Sequence, residues 1–145
     1  GTAVEGVDVY AANKEVCDKV LTYLKAVNAV LEGTSFKIAY RTRNEFLLYV
    51  VNNLSYRKDE AGNELTEEYV IARALDEVTS MKILSRIEGD DTKVKDSLLD
   101  DLIRTIRERL KDLSEEFVEE KSVSLAKLKE MKKKLDSGFT SFWSY

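Results

Sequence analysis

The chain has 145 residues, of which 43% are apolar and 34% charged, and it contains no proline. This length favours a single domain, and the abundance of Leu, Lys, Glu and Ala is typical of an all-helical bundle. Because there is no histidine and only one cysteine, Ser-His-Asp catalysis, His- or Cys-based metal sites and an internal disulfide are excluded. The six glycines form no phosphate-binding loop, and the net charge of −4 provides no overall attraction to nucleic acid.

Three features of the sequence bear on the cellular compartment. The longest apolar run, Phe46 to Val51, is far shorter than the roughly 20 residues that a membrane span needs. Cys17 falls on an apolar helix face, where a buried thiol in a reducing compartment is the simplest interpretation. The N-terminus shows no signal-peptide pattern, so we expect a cytoplasmic protein without membrane contact.

The predicted domain covers residues 1–145, with an extended lead-in (1–12), a bundle of about five helices (13–136) and an aromatic tail (137–145). The first helix is predicted from Asn13, a favourable N-cap, to Gly33. Its apolar residues recur at three- and four-residue spacing, as in an amphipathic helix with one buried face. They are Val16, Cys17, Val20, Leu21, Leu24, Val27 and Leu31.

The second helix follows a short stretch of alternating apolar residues. Phe36, Ile38 and Tyr40 predict a short extended segment, and a helical pattern then continues from about Thr42 to Leu54. The predicted core face of this helix consists of Phe46, Leu47, Val50 and Leu54.

Two arginines, Arg41 and Arg43, lie at the start of this second helix, where the partial positive charge of the helix dipole disfavours cations. One interpretation is a surface salt bridge, for example to Glu45, which contributes less than about 1 kcal/mol. The other is anion recognition, because the planar guanidinium group suits phosphate oxygens. The residues alone favour the surface salt bridge.

A polar loop over residues 55–64 separates the second helix from the third. Thr66 is a suitable N-cap for the third helix, and Gly89 is predicted to end it. The apolar face of the third helix is predicted to contain Val70, Ile71, Ala74, Leu75, Val78, Met81 and Leu84.

The fourth helix is predicted to be capped by Asp90, Asp91 or Thr92. It either breaks near Ser114 or continues through Phe117. Capping and solvation are the favoured roles of the Asp90/Asp91 pair, because neighbouring residues on a helix do not share a face as a paired acid site requires. The predicted buried residues are Val94, Leu98, Leu102, Ile106, Leu110 and Leu113.

The last helix is predicted to start near Ser122 or Ser124 and to end at Gly138. Its lysines lie close to an acidic run and have no aromatic residues between them, so a solvated face is favoured over a nucleic-acid patch. These lysines are Lys127, Lys129, Lys132, Lys133 and Lys134.

The C-terminal tail is unusually aromatic, with Phe139, Phe142, Trp143 and Tyr145 within seven residues. So many rings are costly to leave in water once a helix has ended. They either fold back over the bundle or dock on another chain, since aromatic residues are enriched both in cores and at interfaces. Phe139, Phe142 and Trp143 are therefore the candidate interface residues.

Three separated stretches together resemble the C-terminal helical lid of McrB-like AAA+ NTPases, the motor subunits of modified-cytosine-specific DNA restriction systems. The first comprises LKAVNAVLEG (24–33) followed by FKIAYRTRNE (36–45). The second is KILSRIEG (82–89), in which Ser85 stands where the family usually has proline. The third is LDSGFTSFW (135–143), and the order and spacing of all three agree with the family.

The resemblance implies a lid that folds over a nucleotide held by a neighbouring α/β core. In such proteins a lid arginine at a helix start, the second sensor, reaches the terminal phosphate; Arg41 matches that position best, with Arg43 as the alternative. The nucleotide-binding and arginine-finger motifs of the family are absent from these 145 residues, so we expect an excised lid that is inactive alone. ATP or GTP with magnesium would be bound only by the complete protein.

The implied partners are the AAA+ core and the neighbouring subunits of a ring, with a nuclease subunit as a further candidate. Direct binding of nucleic acid by this chain is not expected. The alternative function is a stand-alone helical module that binds another protein through its aromatic tail. A third, weaker hypothesis is nucleic-acid binding by the lysine-rich last helix.

Overall fold

A computed structural model describes residues 8–143 and confirms the predicted all-helical fold. Two short strands and two single 3₁₀ turns, Leu84–Arg86 and Glu119–Lys121, connect the longer helices of this part of the chain. The longer helices are α1 (Lys14–Leu31), α2 (Tyr40–Asn53), α3 (Glu67–Lys82), α4 (Asp96–Leu113) and α5 (Val123–Leu135). The strands are β1 (Glu88–Asp90) and β2 (Phe139–Ser141).

Helix α3 contacts α2, α4 and α5, helix α4 also packs against α1 and α5, and α1 contacts α2. Their apolar faces form one hydrophobic core. Every helix within residues 8–143 is too short or too polar to span a lipid bilayer.

The N-terminal lead-in was predicted to be extended, but residues 8–12 are helical, and residues 1–7 lie outside the described part. The predicted apolar face of α1 is buried, except that Leu21 is only half-buried. Tyr23, which the periodicity did not include, is fully buried as well. The Tyr23 hydroxyl lies 2.7 Å from Thr79 Oγ1. Tyr23 is the donor in this bond, because the Thr79 hydroxyl donates its own proton to the Leu75 carbonyl.

Helix α3 begins where it was predicted, since the Thr66 hydroxyl accepts a hydrogen bond from the Tyr69 amide at 3.2 Å. It ends at Lys82, earlier than predicted, and Gly89 lies in β1 instead. Met81 was predicted to be buried but is 47% exposed.

Helix α4 begins later than the predicted cap at Asp90, Asp91 or Thr92. The Asp90 carboxylate instead closes a turn, accepting hydrogen bonds from the Thr92 amide and hydroxyl and from the Lys93 amide. These bonds lower the pKa of Asp90, that from the Thr92 hydroxyl most strongly. At its other end α4 stops at Leu113, in agreement with the predicted break near Ser114.

Helix α5 begins at Val123 with Ser122 as its N-cap, one of the two predicted starts. A second cap comes from α3, where Asp76 is buried and accepts hydrogen bonds from the Ser122 hydroxyl and from the amides of Val123 and Ser124. After α5, Gly138 reverses the chain, and β2 pairs antiparallel with β1.

Candidate functional site

The N-terminus of α2 has none of the usual helix-starting features. Its N-cap is Ala39, no side chain caps it, and its first turn contains no acidic residue. A helix start of this kind leaves its first amide groups without a side-chain cap, and its partial positive charge favours a nearby anion.

Arg41 projects from this helix start and is mostly free. Its side chain is 82% exposed, and its Nε lies 3.7 Å from Glu45 Oε1, which is too long for a hydrogen bond. The other oxygen of Glu45 forms a close ion pair with Lys82 of α3, at 2.8 Å. Glu45 is therefore neutralised mainly by Lys82, and the guanidinium of Arg41 is only loosely held.

Arg43 lies on another side of the same helix. Two residues along an α-helix correspond to roughly 200° of rotation, so Arg41 and Arg43 do not share a face. The Arg43 guanidinium lies 5.3 Å from the ring centroid of Tyr40 and lines a groove of about 510 Å³ against α1. The two candidate sensors thus lie on different sides of α2, Arg41 toward α3 and Arg43 toward α1.

A third arginine, Arg86, lies beside this helix start. It belongs to the 3₁₀ turn after α3, and its Nη1 lies 3.4 Å from Oγ1 of Thr42, the residue after Arg41. Sequence reasoning missed it as a site residue. The only signal was its place in the second stretch resembling a lid, because residues 44 positions apart show no periodic relation.

Together, Arg41, Lys82 and Arg86 form what we call the cationic cluster, with Glu45 as the carboxylate in contact with it. Arg41 and Lys82 contact Glu45, and Arg86 lies beside Thr42, so three cations and one carboxylate leave the cluster with net positive charge. Within the same two helical turns, Asn44 is only 4% exposed, yet its Nδ2 has no hydrogen-bond partner in the described part of the chain. The start of α2 thus combines excess positive charge with an unused donor.

The three stretches that resemble a lid are close together in the folded chain. Arg86 contacts Thr42, and Lys82 contacts Glu45, which joins the first stretch to the second. Pairing of β1 with β2 then joins the second to the third, with Glu88 opposite Ser141. Stretches separated by some forty residues or more along the chain therefore adjoin one another in the fold.

The aromatic tail folds back onto the bundle, as one of its two predicted roles required, but two of its rings stay partly exposed. Thr140 is fully buried, and its hydroxyl donates to the Met131 carbonyl at 2.7 Å, so the tail folds back onto α5. Phe142 lies edge-to-face against Trp143 and under the ammonium group of Lys127. Phe139 and Trp143 nevertheless remain about half exposed, at 49% and 52%, while Tyr145 lies outside the described residues.

Most lysines of α5 are engaged within the chain. Lys129 pairs with Glu119 at 2.6 Å, and this bond is the main reason for the lowered pKa of Glu119. Lys132 pairs with Asp100 at 2.7 Å, and Lys134 donates to the carbonyls of Ser141 and Trp143. Most of these lysines are thus paired with groups of the same chain and do not form an unpaired basic surface.

Residues 8–143 bring together no group of three or more acidic or cysteine side chains that could hold a metal ion. No curated protein and no solved structure matches the chain. Residues 3–139 match a family described as a domain of unknown function, DUF8727. Since the match covers nearly the whole chain, the protein belongs to the DUF8727 family.

Proposed function

We propose that this chain is the helical lid of an McrB-like AAA+ NTPase and that Arg41 contacts the terminal phosphate of a nucleotide bound to the AAA+ core. The proposal is supported chiefly by Arg41 itself, a mostly exposed arginine at an uncapped helix start, weakly held by Glu45. The adjacency of the three stretches that resemble a lid adds to this support.

The physical role of such an arginine is electrostatic. A guanidinium group near the β- and γ-phosphates stabilises their charge, and its contact changes when the γ-phosphate is lost. Arg41 can change position at little cost, because an exposed ion pair as long as its contact with Glu45 contributes less than about 1 kcal/mol. Loss of the contact would let the lid rotate as a rigid body, which converts hydrolysis into movement between ring subunits.

The decisive experiment compares two arginine variants in a protein that joins this lid to its AAA+ core. Arg41→Ala is expected to reduce NTP hydrolysis or nucleotide-dependent assembly at least tenfold, on the order of one lost charged contact to phosphate. Arg57→Ala is the matched control, since Arg57 is also an exposed arginine paired with a glutamate, Glu67, at 2.9 Å. Equal effects of the two variants would refute the sensor role of Arg41.

The purified chain provides a second test of the lid proposal. Because it contains no phosphate-binding loop, it should not hydrolyse ATP or GTP, with or without magnesium. Turnover that follows the chain through purification would overturn the proposal.

A second candidate function is binding of another protein through the aromatic tail, and it is favoured by the exposure of Phe139 and Trp143. The double variant Phe139→Ser/Trp143→Ser should keep the fold, because Thr140 still anchors the tail. If this surface binds a ring neighbour or another protein, the variant should lose that complex in size-exclusion chromatography. A folded variant that keeps every complex would exclude this role.

A further inference from the structure

The three cations near the start of α2 have different environments. Lys82 has a close carboxylate partner and Arg41 a distant one, at 2.8 and 3.7 Å from the two oxygens of Glu45. Arg86 is exposed and has no carboxylate within 4.0 Å among residues 8–143. Its described polar contact is the long one to the Thr42 hydroxyl. Two arginines beside the first turn of an uncapped helix therefore have no close carboxylate partner in the described part of the chain.

The position of Glu45 explains how this arrangement persists. A glutamate four residues after Arg41 would ordinarily pair with it along the helix face. Here the shorter contact goes to Lys82, so the carboxylate is drawn toward α3. Lys82 thereby reduces the competition that Glu45 would otherwise present to an anion at Arg41.

We propose that Arg41 and Arg86 together form a two-arginine clamp for a phosphate-type oxyanion, and that Lys82 keeps the clamp open by holding Glu45 aside. This inference rests on the proposed lid function and adds to it a second phosphate contact and a positioning residue. Guanidinium groups from two different elements approach phosphate oxygens from different directions, which selects a multiply charged terminal phosphate over a single carboxylate. The first amides of α2, which no side chain caps, are further donors near this helix start.

The clamp can be tested on the chain itself with inorganic tripolyphosphate as the probe. Two-dimensional ¹H–¹⁵N spectra, including the arginine Nε signals, are recorded during a titration at constant ionic strength, because screening alone changes weak phosphate contacts. We expect the Nε signals of Arg41 and Arg86 and the amide signal of Thr42 to shift with one common dissociation constant. Shifts confined to the lysines of α5 would overturn the clamp, as would no shift at either arginine.

Substitution of Arg86 measures how much this residue contributes to the affinity for tripolyphosphate. Arg86→Ala should weaken tripolyphosphate binding about three- to tenfold, and Arg86→Lys should recover only part of the loss, because lysine cannot form the planar fork. Arg104→Ala on α4 is the matched control, an exposed arginine paired with Asp101 at 3.1 Å, and it should change the affinity less than twofold. The amide spectrum of each variant shows whether the fold is retained.

The proposed role of Lys82 can be tested separately, because it acts by pairing with Glu45 and so keeping Glu45 from Arg41. Glu45→Gln should strengthen binding, because the competing charge is removed. Lys82→Ala should weaken it about threefold or more, because Glu45 is then free to pair with Arg41. Adding Glu45→Gln to Lys82→Ala should cancel most of that loss. A loss of the same size with and without Glu45→Gln would show that Lys82 acts only through its own charge and would overturn its positioning role.

Failure of the clamp and failure of the lid function give different results. If Arg41→Ala weakens tripolyphosphate binding and Arg86→Ala does not, the clamp is wrong and a single-arginine sensor stands. If Arg41→Ala and Arg57→Ala are equivalent in the protein that carries the AAA+ core, the lid function itself fails, whatever the behaviour of Arg86.

Discussion

The buried carboxylate of Asp76 in α3 accepts a 2.6 Å hydrogen bond from the hydroxyl of Ser122, the N-cap of α5, 46 residues later in the chain. The same carboxylate accepts hydrogen bonds from the backbone amides of Val123 and Ser124, at 2.9 and 3.1 Å. In return, the Ser124 hydroxyl donates to the Asp76 carbonyl at 2.7 Å. One acidic residue thus fixes where α5 starts and how it sits on α3, and α5 in turn supports the strand pair beside the cationic cluster.

Asp76→Ala should therefore be strongly destabilising. It leaves a buried hydroxyl and two helix-start amides without their acceptor, which costs about 2–4 kcal/mol of the free energy of unfolding. Urea denaturation followed by circular dichroism measures the loss. Asp112→Ala is the control, because Asp112 is an exposed residue paired with Arg109 within one helix. A loss below about 1 kcal/mol for Asp76→Ala would contradict the capping role.

The pH dependence of stability provides a separate test of the same residue. Burial raises the pKa of Asp76 above its ordinary value of 3.8, although the bonds from Ser122, Val123 and Ser124 oppose the shift. The folded state then binds the proton more tightly than the unfolded chain does, so the contribution of Asp76 falls as pH rises from 3.8 through the folded-state pKa. The difference in unfolding free energy between the wild-type protein and Asp76→Asn should decrease over that interval. An increase would mean that the hydrogen bonds outweigh burial.

Gly89→Ala should destabilise the turn that follows the cationic cluster. Gly89 has a φ of 150°, and an added Cβ would come within 2.9 Å of Lys93 Cδ and 3.0 Å of Lys93 Cβ. The expected loss is about 1–3 kcal/mol, from backbone strain together with displacement of Lys93. Gly33→Ala separates the two causes, because Gly33 has a φ of 79° but nothing within 4 Å of an added Cβ. Gly89→Ala should be the more destabilising of the two in thermal unfolding, and the reverse order would contradict the steric argument.

The thiol of Cys17 should be unreactive in the folded protein. Cys17 is fully buried in α1, and burial raises the pKa of its thiol, so little thiolate is present or accessible at pH 8. Labelling with an aromatic disulfide reagent should proceed only as fast as the chain unfolds and should become rapid in urea. Complete labelling of the native protein within seconds would show that this face of α1 opens readily.

The substitution Thr140→Val should weaken the attachment of the tail to α5 and lower the stability of the protein. This change keeps the shape of the side chain but removes the 2.7 Å hydrogen bond to the Met131 carbonyl in a fully buried position. The expected loss is about 1 kcal/mol of unfolding free energy. Phe139→Ser, at a half-exposed position of the same strand, should change stability by less than about 0.5 kcal/mol. Equal losses would mean that Phe139 rather than Thr140 holds the tail in place.

Local sequence signals predicted the helices well where capping and periodicity agree. Thr66 and Ser122 cap the helices that they were expected to cap, because an N-cap depends only on a side chain and the next turn of backbone. The same reasoning failed at Asp90, whose carboxylate closes a turn before α4 starts. Both uses satisfy nearby amides, so residue type alone does not distinguish them.

The sequence by itself determined the all-helical class, most of the buried helix faces and the absence of any nucleotide-binding loop, since these depend on composition and short-range spacing. Only the tertiary structure decided which charged groups meet. It placed Arg86 beside Thr42, directed Glu45 toward Lys82 and put Arg43 in a groove against α1. Electrostatic contacts between distant segments depend on how helices pack, and a local charge pattern does not encode that arrangement. Arg41 and Arg43 are neighbours in the sequence, but in the fold Arg41 lies near Glu45 and Arg43 lies in the groove against α1.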